Sequence, residues 1–229
     1  MSQVTICDVF ECAVMKHRER MDCFVAAGLY LVTSQSFSCG RSTLDIVKSA
    51  VSAGARLIQL REKELAAGES VKLAHQVRKV TQDAGALLII NDRLDIALAV
   101  GADGVHLGQD DLPIREARAI APELIIGASS HDVEEAVEAE AAGASYVNIG
   151  PLFPTQTKVG YEKCLGLEGL REISATISIP FTVMGGIKRE HIADLLAAGA
   201  QSIALVTAVT AADDPGRAVA DLLEQIRPS

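Results

Sequence analysis

The sequence predicts an α/β protein folded as a single (β/α)8 TIM barrel with an N-terminal extension, and three observations predict it. One local pattern returns five times: an apolar stretch at helical spacing meets a glycine, then a short apolar run begins. The copies lie at 53–58, 84–89, 100–105, 142–147 and 198–203. Glycine accepts the left-handed conformation that ends a helix, and the run after it suits a buried strand. Eight such runs appear once the gaps between copies are filled. No glycine-rich linker or change of composition divides the 229 residues, so the reading is one barrel over 28–229 and an extension over 1–27.

The expected strands, in order, are 29–33, 57–61, 87–91, 104–108, 124–128, 146–150, 180–184 and 202–207. All are short and continuously apolar, as strands covered on both faces must be. Helical patterns alternate with them, most clearly at 70–83, 133–142 and 190–198. Strict alternation with eight strands favours a closed barrel over an open doubly wound sheet. Residues 1–27 stand outside the repeat and read as a frayed extension or a helix packed on the barrel. The stretch from Gly150 to Gly166 carries neither period and is longer than an ordinary connection, which marks it for function.

Composition removes several classes of activity. Lys and Arg number 21 against 30 Asp and Glu, a formal charge of −9, which excludes a nucleic-acid or anionic-membrane partner held by bulk charge. Aromatic residues are 3% with no Trp, too few for a base-stacking platform. No apolar run is long enough to span a bilayer. Basic residues follow the mildly apolar N-terminus rather than precede it, unlike a secretory signal. The five cysteines, Cys7, Cys12, Cys23, Cys39 and Cys164, form no CxxC pair. They read as reduced thiols of a cytoplasmic protein, a metal or redox role for the first four being the weaker alternative.

In a barrel the chemistry sits where strands end, and the strand ends here are polar. Strand two closes Gln59-Leu60-Arg61-Glu62-Lys63. Alternation puts Gln59, Arg61 and Lys63 toward the mouth, where cations call for an anionic ligand. The plain alternative is Arg61 paired to Glu62 at the surface. Strand three ends Asn91-Asp92-Arg93, and Gln109-Asp110-Asp111 follows strand four. Asp92 and Asp111 are either helix caps or facing oxygen ligands for Mg2+, which favours a few carboxylates plus substrate phosphate. His106, within strand four, needs a polar partner. Ser129 and Ser130 end strand five beside His131 and Asp132, which also suit a helix start. The loop after strand six carries two prolines with Thr155, Gln156, Thr157 and Lys158, a composition suited to anion capture. Gly185-Gly186-Ile187 and Val206-Thr207 fall where loops seven and eight of such barrels bind a phosphate.

These residues describe two anion sites: one with metal and cations for a diphosphate, the other built on backbone for a monophosphate. Metal-bound diphosphate is a good leaving group, so transfer of its carbon group to a phosphorylated acceptor is the natural chemistry. The same segments, with Gly104-Val105-His106-Leu107-Gly108-Gln109, Gly127-Ala128-Ser129 and Gly150 to Lys158 in order, resemble the thiamine phosphate synthase family from about Leu29 onward. That family condenses hydroxymethylpyrimidine diphosphate with a thiazole monophosphate.

The resemblance implies that Gln59, Leu60, Arg61, Glu62, Lys63, Asn91, Ser129 and Lys158 contact the pyrimidine diphosphate, with His106 among the substrate-binding residues. It implies that Asp92 and Asp111 hold Mg2+. Thr155, Gln156, Thr157, Gly186, Val206 and Thr207 then hold the thiazole phosphate, and Arg61, Lys63, Ser129 and Lys158 are the expected catalytic set. Ser129 is preferred to Ser130 on its spacing from Gly127. Three positions depart from the family's habit: Thr207 for serine, His191 for asparagine and Cys164 for alanine. Expected partners are small-molecule substrates, with a homo-oligomer left open. Two rivals remain: a sister barrel that isomerises a thiazole phosphate precursor, and a non-catalytic binding protein of the same pathway.

Overall fold

A computed structural model describes residues 15–155 and 164–226. Its elements follow the order α1 (His17–Ala26), β1 (Leu29–Val32), α2 (Thr43–Ser52), β2 (Leu57–Leu60), α3 (Ala67–Asp83), β3 (Leu87–Asn91), α4 (Leu94–Val100) and β4 (Gly104–Leu107). The second half continues with α5 (Ile114–Ile120), β5 (Ile125–Ser130), α6 (Val133–Ala141), β6 (Tyr146–Ile149), α7 (Gly166–Ser174) and β7 (Phe181–Val183). It closes with α8 (Ile192–Ala197), β8 (Ser202–Leu205), α9 (Thr207–Thr210) and α10 (Pro215–Ile226). The eight strands form one closed parallel barrel in sequence order, with β1 joined to β8.

The recurring joint works as its sequence requires. Gly54, Gly85, Gly101, Gly143 and Gly199 all have positive φ, between 63° and 106°, so each helix ends in a left-handed residue before its strand begins. Only β3 ends where expected; β1, β2, β4, β6 and β7 stop one residue early and β8 two. β2 stops at Leu60 and β8 at Leu205. Val206, at φ −113° and ψ −88°, turns the chain so that Thr207 opens α9. Conversely, β5 runs on to Ser130, because Ser129 and Ser130 pair with Asn148 and Ile149 of β6.

Alternation splits the core in two. Leu31, Ile58, Leu60, Leu88, Ile90, Leu107, Ile126, Val147 and Ile203 face outward into one cluster with the helices. Tyr30, Leu57, Leu87, Ile89, Ile125, Tyr146 and Ala204 fill the barrel interior. Gly127 is fitted to that interior, since a Cβ there would overlap the Tyr146 ring.

The end of the barrel at which the strands begin is closed by α1. Phe24, 1% exposed, enters the interior cluster with its ring centroid 4.4 Å from Tyr146 and 6.0 Å, edge-on, from Tyr30. Polar contacts hold the helix down. The buried Arg20 donates from Nη1 to the Glu123 carbonyl at 2.6 Å and lies 3.7 Å from Asp103. The His17 N–H donates to the Glu123 carboxylate at 3.0 Å. Asp103 also receives Arg78 at 2.7 Å and the Leu88 N–H at 2.8 Å, so its charge is shared among partners that fix the floor. Among the described residues no helix is long and apolar enough to cross a membrane, and Cys23, Cys39 and Cys164 are free thiols. Because Phe24 fills the barrel floor, Phe24→Ala should destabilise the protein by about 3–5 kcal/mol, measured by urea unfolding.

Candidate functional site

Polar side chains occupy the opposite end of the barrel, where the strands finish. A cavity of about 230 Å3 opens there, lined by Gln59, Arg61, Lys63, Asn91, Asp92, His106, Asp111 and Ser129, with Asn148, Gln109 and Thr155 at its wall. Thr155, Met184 and Gly185 also border a second cavity of about 340 Å3, lined further by Gly186, Val206 and Thr207. Most of the described residues singled out in the sequence thus line two adjoining spaces, Leu60 and Glu62 excepted.

Several side chains take positions that sequence alone left open. Glu62 does not pair with Arg61. Its carboxylate accepts the Gln35 N–H at 2.9 Å and the Thr43 hydroxyl at 2.6 Å, tying the loop after β1 to the start of α2. Arg61 makes no ion pair among the described residues and lines the cavity. The Leu60 side chain turns outward into the helix-facing core, so neither it nor the Glu62 carboxylate is aimed at the cavity. Ser129 lines the cavity, whereas the Ser130 hydroxyl is buried and donates to the Asp132 carbonyl at 2.9 Å. The helix-start reading of that segment also holds: Asp132 caps α6 by accepting from the Glu135 N–H at 2.9 Å. Gln156, Thr157 and Lys158 lie outside the described residues.

Neither candidate metal carboxylate caps a helix. Arg93 and Pro113 occupy the cap positions of α4 and α5, without side-chain caps. Asp111 instead accepts the Gly108 N–H at 2.7 Å. Asp92 sits at φ +61°, a left-handed conformation uncommon outside glycine, while its own N–H donates to the His106 carbonyl at 2.8 Å. Strain of this kind collects at functional sites. Burial and then the neighbouring Asp111 carboxylate raise the Asp92 pKa; Lys63, 3.4 Å away, opposes them only in part. A carboxylate pair left under-compensated in this way fits a divalent cation. No group of three or more Cys, His, Asp or Glu able to hold a metal occurs among the described residues. An ion held by the two carboxylates would leave positions for substrate oxygens and water, the habit of Mg2+.

The glycines of loop seven meet a demand that sequence reading assigned to a phosphate. Gly185 and Gly186 both have positive φ, 101° and 61°, and a Cβ on either would overlap Pro151, Phe153 or Pro154. The two loops pair through backbone, Leu152 N–H to the Met184 carbonyl at 2.9 Å and Phe153 N–H to the Gly185 carbonyl at 3.0 Å. Phe153 stacks on His191 with ring centroids 3.9 Å apart. His191 thereby braces the loop that brings Thr155 to both cavities.

Sequence reading missed Asn148. It stands mid-strand among apolar neighbours, reaches the cavity, and accepts the Thr182 hydroxyl at 2.7 Å. The available signal was a lone amide inside a buried strand. Also missed was the role of Tyr30 and Tyr146, whose hydroxyls meet at 2.8 Å in the barrel interior.

A family model described as thiamine monophosphate synthase matches residues 29–209. The chain is 46% identical over 199 residues to the thiamine-phosphate synthase of Moorella thermoacetica, covering 86% of this chain and 95% of that protein. To the thiamine-phosphate synthase of Pyrococcus horikoshii it is 46% identical over 194 residues, covering 85% and 92%. Among solved structures, a thiamine phosphate pyrophosphorylase from Pyrococcus furiosus matches with a TM-score of 0.81 at 38% identity, covering 88% of this chain and 96% of that one. A 3-hexulose-6-phosphate synthase, at 22% identity and a TM-score of 0.64 over 86% of this chain and 100% of that one, shares the fold.

The carboxylate pair yields a thermal test that needs no substrate. Asp92→Asn removes the repulsion and keeps a side chain that tolerates positive φ, so the variant should melt at or slightly above the wild type in EDTA. Added Mg2+ should raise the wild-type midpoint and leave the variant's unchanged, as read by calorimetry.

Proposed function

The chain belongs to the thiamine monophosphate synthase family, whose reaction condenses 4-amino-2-methyl-5-(diphosphooxymethyl)pyrimidine with 4-methyl-5-(2-phosphooxyethyl)thiazole, and we propose that its two adjoining cavities divide that reaction between them. The first takes the pyrimidine diphosphate, with Gln59, Asn91, His106 and Ser129 around the ring and Arg61, Lys63 and Lys158 around the diphosphate. The second takes the thiazole phosphate against Gly186, Val206 and Thr207, with Thr155, Gln156 and Thr157 assigned to the same phosphate by the resemblance. One observation carries this division: Arg61, Lys63, Asp92 and Asp111 line one cavity, Gly186 and Lys188 line the other, and Thr155 and Gly185 border both.

Asp92 and Asp111 would hold Mg2+. Bound there, the ion would neutralise the diphosphate and make it a better leaving group. The C–O bond to the pyrimidine methylene breaks with its electron pair leaving on diphosphate. The electron-rich aminopyrimidine shares the resulting positive charge until the thiazole nitrogen donates its lone pair and forms the new C–N bond. Arg61, Lys63 and Lys158 stabilise the departing anion as its charge develops, and Ser129 adds a hydroxyl at the same wall.

The same reading keeps residues 28–229 as one barrel, with 1–27 as an extension whose α1 forms the floor, and places the enzyme in the cytoplasm with small-molecule partners. The isomerase rival needs a phosphate site but has no use for the Arg61, Lys63, Asp92 and Asp111 group. The binding-protein rival has no use for a left-handed Asp92 facing a second carboxylate.

Purified protein given both substrates should form thiamine phosphate, read as its fluorescent oxidation product, in Mg2+ and not in EDTA. Folded protein that stays silent in Mg2+ would remove the synthase reading. Asp92→Ala should lose nearly all turnover while thiazole phosphate affinity, measured by calorimetric titration, stays at the wild-type value. A variant that keeps most of its activity would remove Asp92 from the metal site.

A further inference from the structure

A continuous line of side-chain hydrogen bonds crosses the barrel beneath the first cavity. The Gln59 amide nitrogen donates to the Tyr30 hydroxyl at 2.7 Å, which meets the Tyr146 hydroxyl at 2.8 Å. The Tyr146 hydroxyl lies 3.0 Å from His106 Nδ1, and His106 Nε2 lies 3.1 Å from the Ser129 hydroxyl. Each member before Ser129 is buried, from Tyr146 at 0% to His106 at 6% exposed, so bulk water does not compete for these contacts.

We infer that this line runs in one direction, from Gln59 to Ser129, fixing His106 as the neutral Nε2–H tautomer and leaving the Ser129 hydroxyl proton free to donate into the cavity. The reason is proton counting. An amide NH2 can only donate, so the Tyr30 oxygen accepts, and the Tyr146 oxygen is the one acceptor among the described residues for the Tyr30 proton. Tyr146 accepts that bond and passes its proton to His106 Nδ1, which must then be bare. The remaining imidazole proton sits on Nε2 and points at the Ser129 oxygen. Ser129 thus receives a bond and keeps its O–H for the cavity. Burial pushes both phenols above their ordinary range, so neither breaks the line by ionising at neutral pH.

Tyr30 and Tyr146 do not line the cavity. They are positioning residues, acting on Ser129 through His106. On the proposed function, the Ser129 proton would reach an acceptor of the pyrimidine diphosphate. The direction of the line itself rests on the ligand-free geometry alone.

The test is the tautomer of His106 in substrate-free protein labelled with 15N-histidine, read by long-range proton–nitrogen correlation. The signal is assigned by its loss in His106→Gln. A protonated Nε2 with a bare Nδ1 is expected. A protonated Nδ1 would mean that the line runs from Ser129 back to the Gln59 carbonyl oxygen, and an imidazolium that it has no single direction; either overturns the inference. Tyr30→Phe cuts the line two bonds away from His106 and keeps the ring. It should convert the single tautomer into a mixture and lower kcat by up to about tenfold, the scale of one hydrogen bond, with KM for the thiazole phosphate unchanged. An unchanged single tautomer in that variant also overturns the inference. Should Tyr30→Phe fail to fold, the wild-type tautomer decides alone. A protein that shows the expected tautomer yet makes no thiamine phosphate would sink the synthase reading and leave the hydrogen-bond line standing.

Discussion

Every second side chain of a parallel barrel strand has to enter a space hardly wider than the side chains themselves, and the rest of this molecule is arranged around that limit. At the closed end the space is filled by Leu57, Leu87, Ile125 and the ring of Phe24. At the open end the same pleat presents Gln59, Asn91, His106, Ser129 and Asn148. Between the dry floor and the polar mouth lie two phenols, each with its ring in the apolar layer and its hydroxyl in the polar one. Tyr30 and Tyr146 let the barrel change character over the length of one side chain without leaving their polar atoms unpaired.

How much of this was legible follows from the range of the forces involved. The helix-to-strand joints are local: an apolar stretch, a glycine and a strand-forming run decide them, and all five glycines are left-handed as expected. The strand ends with grouped charges were legible for a similar reason, because Arg61, Lys63 and Asp92 have no cheap place in a closed barrel other than its mouth. What sequence could not rank was a choice made across the fold. Asp111 lies close to a helix start, yet it accepts from Gly108 and faces Asp92. Glu62 is adjacent to Arg61 in sequence but is claimed by Gln35 and Thr43. Asn148 shows no local signal beyond being polar in an apolar strand, since its use depends on Thr182 beside it.

Loops six and seven show a site feature serving structure at the same time. Gly185 and Gly186 are short of a side chain chiefly because Pro151, Phe153 and Pro154 press against them. The resulting backbone pairing fixes where the Thr155 end of loop six lies, and the Phe153–His191 stack adds a second brace. His191 therefore serves as a packing surface for Phe153.

The floor helix has a consequence for how the chain is made. On a ribosome α1 emerges before any strand, but the groups that receive it come much later: Arg20 and its acceptor Glu123 are 103 positions apart, and Tyr146 follows later still. During vectorial synthesis, at roughly 5–20 residues per second, Phe24 has no finished seat for several seconds. The nascent chain thus carries an exposed aromatic anchor that only a nearly complete barrel can shelter. α1 is translated ahead of every barrel strand yet can dock only after β6, and its seating seals the barrel interior from below.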